Sequence, residues 1–245
     1  MARPEPPGPG TGRAPAPSGP GTAPGAGPGG PGEPVRPDGP GPLLLVCALG
    51  VERLALREAR PPGPVTVLRT GMGPARAGRA VAAALADGPP RGTPVLVSGF
   101  CAGLVPGMRP GDVVVADAVG GGPFGAVVRC TATALLAAAV ARAVPGHRVR
   151  TGPLLCSGHV VRGAERARLR TTGALAVDME SAAVLRAALA AGARPVAAVR
   201  VVVDAPGHEL IRPGTVRGGV SAFRVLRAVL PAFHEWHRSL PLPRR

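Results

Sequence analysis

Lysine, asparagine, glutamine and tyrosine are absent from this 245-residue sequence, and aromatic residues make up 2% of it. With so few rings there is little on which unpaired bases could stack, which argues against a single-stranded nucleic-acid binder. All 29 basic side chains are therefore arginine, and the formal net charge is +15. Alanine, glycine, proline and arginine are enriched together, which is the mark of GC-rich codons rather than of a binding surface. The arginines are scattered, with no long block of like charge, so no nucleic-acid partner is expected. An anionic substrate or peripheral contact with a membrane surface is what the charge still admits. No apolar run reaches the roughly 18 residues of a membrane span. The amino terminus lacks the apolar stretch of a signal peptide, and a cytoplasmic protein is expected. Cys47, Cys101, Cys130 and Cys156 lie far apart with no CxxC pair. That spacing predicts no metal site, and cysteines in apolar runs behave as small hydrophobes in a reducing compartment.

What is present divides the chain in two. Residues 1–42 are mostly proline, glycine and alanine, too poor in large apolar side chains to offset their ordering entropy, so a disordered tail is expected there. Residues 43–245 suit one globular α/β domain. Apolar runs at 43–49, 65–70, 93–100, 111–119, 148–158, 174–177 and 194–207 read as strands, the sixth one short. Helical patterns at 71–88, 131–144 (with Thr131 or Thr133 as cap), 163–173, 178–192 and 215–239 alternate with them. In the last, Val220, Phe223, Leu226, Leu230 and Phe233 form an apolar face, and Pro231 predicts a bend. Strands apolar throughout, alternating with helices, predict a mixed, mostly parallel central sheet flanked by helices, in three layers. Ligands of such sheets collect at the carboxyl ends of the strands.

Three carboxylates fall at those ends. Glu52 follows the first strand in "GVERLALR", Glu180 follows the short one in "VDMESAAV", and Asp204 closes the last in "VVVDAPG". The chain holds 14 acids in all, so their coincidence with predicted strand ends is informative. Each has a structural reading too. Asp178 can cap its helix, Glu180 can complement the helix dipole, Asp204 can form a turn before Pro206, and Glu52 can face Arg57 on the surface. The glycine-rich "SGFCAGL" after the third strand lets a ligand approach the backbone closely.

These strings resemble the purine nucleoside phosphorylase and nucleosidase superfamily, in colinear order over about residues 43–235. "VDMESAAV" followed by "VRVVVDAPG", together with "TGMGPARAG", "SGFCAGLVPGMRPGDVVVAD" and "LLCSGHVVRG", carries the likeness. "ALGVERLALR" looks like the methylthioadenosine/S-adenosylhomocysteine nucleosidase branch, and the overall pattern is most similar to actinobacterial hopanoid-associated phosphorylases. The resemblance implies a nucleoside phosphorylase-like fold, a homo-oligomer, and cleavage of adenine from a 5′-substituted adenosine, adenosylhopane in the hopanoid case. No cofactor is implied beyond inorganic phosphate as co-substrate if the reaction is phosphorolysis.

The resemblance also implies roles. Glu180 would grip the ribose hydroxyls, ionised by its helix start, with Met179 as an apolar floor. Asp204 would be the general acid at purine N7, its proton held by burial at an apolar strand end. Glu52 would activate water. Base contacts fall on Ser98, Gly99 and Phe100 in the third-strand turn and on Val161 and Arg162 in "SGHVVRG", where relatives often carry an aromatic and this chain does not. Val203 stands where many relatives place a serine. Glu52 would repel phosphate, which favours hydrolysis, while Arg53, Arg69 and Arg76 keep phosphorolysis open. Phe124, Leu210 and the loop 207–214 are candidates for the wall around a bulky 5′ substituent.

Overall fold

The first apolar run forms a strand whose alternate side chains enter different layers, which is why all of them are apolar. The computed structural model describes residues 41–57, 63–120, 125–206 and 215–241, the side chains of 215–218 excepted. The strands are β1 (Leu43–Cys47), β2 (Val65–Arg69), β3 (Val95–Gly103), β4 (Val113–Val119), β5 (Val128–Arg129), β6 (Val149–Cys156), β7 (Ala176–Asp178) and β8 (Val196–Asp204). The helices are α1 (Gly50–Leu56), α2 (Pro74–Ala86), α3 (Thr133–Ala143), α4 (Gly163–Arg170), α5 (Ser181–Ala190), α6 (Thr215–Ala228) and α7 (Leu230–Ser239). The tail, apart from Gly41 and Pro42, lies outside the described residues, as do Phe124, Leu210 and the loop 207–214. Among the described residues no helix is long and apolar enough to cross a membrane.

The sheet is mixed and mostly parallel. β1 runs parallel to β2 and β3, β3 to β8, β4 to β6 and β6 to β7. Antiparallel pairs join β3 to β7, β4 to β5 and β4 to β8. The pairings of β3, β8, β4, β6 and β7 therefore close a circuit, back to β3. Leu43, Leu45 and Cys47 join a core with α1, α3, α6 and α7 that includes Phe233 and Trp236. Leu44 and Val46 join the opposite core, with α2 and α5.

Several local expectations are corrected. "GVERLAL", which the sequence pattern left without an element, is a helix, α1. Neither Thr131 nor Thr133 caps α3: Ala132 is the N-cap, at φ 51°, while Thr131 Oγ1 accepts the Val196 N–H and the Thr131 carbonyl accepts the Trp236 indole N–H. The final helix is two helices broken at Val229. Pro231, with no N–H to give the preceding turn, sits in the first turn of α7, where none is needed. Leu226, Leu230 and Phe233 are buried but Val220 is exposed, so the apolar face ends before it.

Candidate active site

The end of β3 draws the other strand ends together. Ala102 pairs with Asp204 of β8 on one side and with Val177 of β7 on the other. The chain leaving β7 then passes Asp178, Met179 and Glu180 before α5 begins, so these lie beside Asp204 by register. Glu52 arrives from the neighbouring β1 through α1. A cavity of about 200 Å³ opens here, and Glu52, Glu180, Asp204, Met179, Phe100 and Val161 all line it. A larger hollow, about 680 Å³, lies at the opposite ends of the strands, between Pro94, Pro195 and Leu240, and its described wall holds no carboxylate.

Glu52 is not a surface acid facing Arg57; it is 2% exposed. At the third position of α1 it reaches back to the start of its own helix, the acidic half of a capping box. Its Oε2 accepts the N–H groups of Ala48 (2.9 Å) and Leu49 (2.8 Å), and its Oε1 accepts that of Phe100 (2.7 Å). Three backbone donors thus fix the carboxylate across the gap between β1 and β3. Gly99 makes room for it: a Cβ there would stand 2.4 Å from Glu52 Oε1 and 2.7 Å from Arg200 Nη1.

Glu180 is the N-cap residue of α5, but its side chain makes no cap bond. It reaches across to the Gly73 N–H instead (2.8 Å). Burial pushes its carboxyl pKa up, against the pull of Arg200 and of the Gly73 N–H. Desolvation is the largest influence on it, ahead of Arg200 and the Gly73 N–H. The capping role falls to Asp178, which accepts the Ser181 N–H (3.1 Å) and hydroxyl and pairs with Arg200. The Cys156 thiol also donates to Asp178, at 2.8 Å.

Arg200 was not singled out by motif or resemblance. It replaces an apolar side chain in the β8 row that includes Ala198 and Val202, facing α5. It is 1% exposed. Its Nε and Nη2 donate to Ser181 Oγ (3.0 and 2.8 Å). Burial works to lower its pKa, but the carboxylates of Asp178, Glu180 and Glu52 outweigh that and raise it. Its Nη1 is buried without a hydrogen-bond partner among the described atoms. A single charge inside "VAAVRVVVD" was the signal that could have found it.

Asp204 differs from expectation in another way. Its surroundings are not simply apolar, for Arg166 of α4 meets both of its oxygens: Nη2 to Oδ2 at 2.6 Å and Nη1 to Oδ1 at 3.2 Å. Arg166 gave no signal, because "GAERARLR" reads as an exposed charged helix.

Three expected base contacts fall away from the cavity wall. Ser98 alternates with Leu96 and Phe100, so its side chain lies on the face toward α1 and α7, fully buried. Gly99 lies behind Glu52. Arg162, at the start of α4, is exposed to solvent. In their place the wall holds His159 and Val160; His159 Nε2 lies 2.9 Å from Glu165. Arg53, Arg69 and Arg76 are exposed and outside the wall.

No curated protein matches the chain in sequence. Among solved structures, S-adenosylhomocysteine nucleosidase from Streptococcus pyogenes is similar with a TM-score of 0.63 at 17% identity, over 83% of this chain and 99% of the other. The 5′-methylthioadenosine/S-adenosylhomocysteine nucleosidase of Neisseria meningitidis gives 0.62 at 18% identity, over 79% and 98%. That of Campylobacter jejuni gives 0.65 at 16%, over 80% and 99%. At these identities the likeness is one of fold. The family profile described as "Phosphorylase superfamily" matches residues 61–231. With more than half of its length matched in this way, the chain belongs to the Phosphorylase superfamily.

Proposed function

We propose that this chain is an N-ribosyl hydrolase that releases adenine from a 5′-substituted adenosine. The observation that carries the reading is the gathering of Glu52, Glu180 and Asp204, from three separate strand ends, on one small cavity. Bond cleavage between C1′ and the purine builds positive charge on the ribose and negative charge on the base, and the three carboxyl groups divide that task. Glu180 accepts the ribose hydroxyls over the Met179 floor. The proton that N7 takes up as the C1′–N9 electron pair leaves with the base passes through the Asp204 carboxyl, both oxygens of which meet Arg166. Water attacks C1′ and gives its proton to Glu52. The proton gained by Glu52 returns to Asp204 through solvent, which closes the cycle.

Base recognition by Phe100 and Val161 with His159 and Val160, rather than by an aromatic pair, fits the composition of the wall. Met72 and Val160, 60% and 54% exposed at the cavity, support an apolar 5′ substituent, of which the methylthio group is the smallest case and the hopane skeleton the largest. The Neisseria meningitidis structure of similar fold holds methylthio-immucillin-A. Exposed Val51 and Leu54 on α1 support a homo-oligomer. Phosphorolysis would need a cation at the wall, and Arg53, Arg69 and Arg76 lie off it.

Product identity tests the reading. Adenosylhopane, methylthioadenosine, S-adenosylhomocysteine, inosine and futalosine are each incubated with the enzyme, with and without phosphate, and products identified by mass spectrometry. Adenine and free 5′-substituted ribose without phosphate are expected. A ribose 1-phosphate formed only with phosphate overturns hydrolysis.

A further inference from the structure

Helix α4 turns one of its arginines inward. Arg168 and Arg170 are exposed, whereas Arg166 and Leu169 are buried. The Arg166 and Asp204 side chains are 7% and 5% exposed, and their contact is two-pointed. A third contact runs from Arg166 Nη2 to the Val161 carbonyl, at 3.4 Å. Arg166 is not in the cavity wall, but both groups it holds, Asp204 and Val161, are.

An aspartate carboxyl turns easily about its last bond, since that torsion has only broad minima. A guanidinium meeting both oxygens fixes the plane of the carboxyl, because its fork is rigid and planar. The Val161 carbonyl in turn stops the guanidinium from swinging. A carboxylate has about four acceptor sites on its two oxygens, so two bonds from Arg166 leave others directed at the cavity. We propose that Arg166 is a positioning residue for the base: it sets the plane and acceptor directions of Asp204 against the N7 edge of the purine. This rests on the reading of Asp204 as the group that meets N7. Arg166 acts through Asp204 and does not touch the base.

The test uses the full chain as wild type, Arg166→Met and Arg166→Lys, and two non-cleavable methylthio nucleoside analogues. One carries 9-deazaadenine, with an N–H at position 7; the other carries 7-deazaadenine, with a C–H there. Affinities are measured by titration calorimetry, with melting curves for each variant. Loss of a charge-held hydrogen bond is expected to weaken binding of the N–H analogue about 10- to 100-fold in Arg166→Met. Binding of the C–H analogue should stay within about threefold, which lies inside the scatter of a lost weak contact. Arg166→Lys, which keeps the charge but only one contact point, should fall between wild type and Arg166→Met, and supplies the same comparison should Arg166→Met fail to fold. Equal weakening of both analogues would mean a merely structural role and overturn the proposal, as would no weakening of either. If the wild type binds neither analogue, the nucleosidase reading itself fails; if it binds both and the variants show no split, only the role of Arg166 does.

Discussion

Arg200 and Arg166 are both buried and both grip an aspartate, yet they stand in opposite settings. Arg200 projects from the middle of an apolar strand into the core under α5, where Asp178, Ser181, Glu180 and Glu52 surround it. Arg166 projects from a charged surface helix and spends its fork on Asp204 and Val161. The first is tied to the start of α5 and into the packing of the sheet; the second is tied to the base end of the cavity through Asp204 and Val161. A buried charge in a core strand is committed to folding. One delivered from a short peripheral helix can serve a single neighbour.

The comparison is sharpest in stability. Arg200→Met leaves Asp178 buried opposite no cation, and stranding one partner of a buried pair costs about 3–5 kcal/mol. Thermal unfolding should show the loss, and Asp178→Asn added to it should recover part. An Arg200→Met protein that melts with the wild type would break the contrast. Next comes Glu52→Gln. It removes the proposed base for water, so kcat should fall about 10²-fold or more in adenine-release assays. One amide oxygen cannot accept all three N–H groups now bound to Glu52, so the melting temperature should fall too. Gly99→Ala pushes a methyl group against Glu52 and Arg200 and should cost about 1–3 kcal/mol, read from the midpoint of urea unfolding.

The smallest expected effect concerns pH. The Glu180 pKa is raised above its ordinary value of 4.5 by burial. Such an acid is no burden below its unfolded pKa, and its ionisation costs stability as pH rises through the folded value. Glu180→Gln should therefore melt above wild type at pH 8. That advantage should vanish near pH 4. A Gln variant less stable than wild type at pH 8 would show that Arg200 and Gly73, not desolvation, govern this carboxyl.

Much of this was legible in the sequence for identifiable reasons. A run apolar at every position marked β1, and one apolar but for Arg200 up to Asp204 marked β8, as strands covered on both faces, and acids are so scarce that Glu52, Glu180 and Asp204 stood out at strand ends. The closed circuit of strands was not legible, because it depends on β8 pairing with both β3 and β4 far away in the chain. Helix α1 was hidden by its brevity and by the lack of a polar cap at Leu49. Ser98 was misplaced because a glycine-rich turn says nothing about which face a side chain takes. Arg166 was hidden because one buried and two exposed arginines in "ERARLR" look alike until the helix has a neighbour.

The most direct test of the central claim is adenine release from methylthioadenosine in phosphate-free buffer, wild type against Asp204→Asn, with affinity for the 7-deaza analogue measured on both. The wild type should turn over. Asp204→Asn should lose about 10²–10⁴ in kcat while its affinity stays within about threefold of wild type. An Asn variant as fast as wild type, or a wild type that binds the analogue and releases no adenine, would contradict the account.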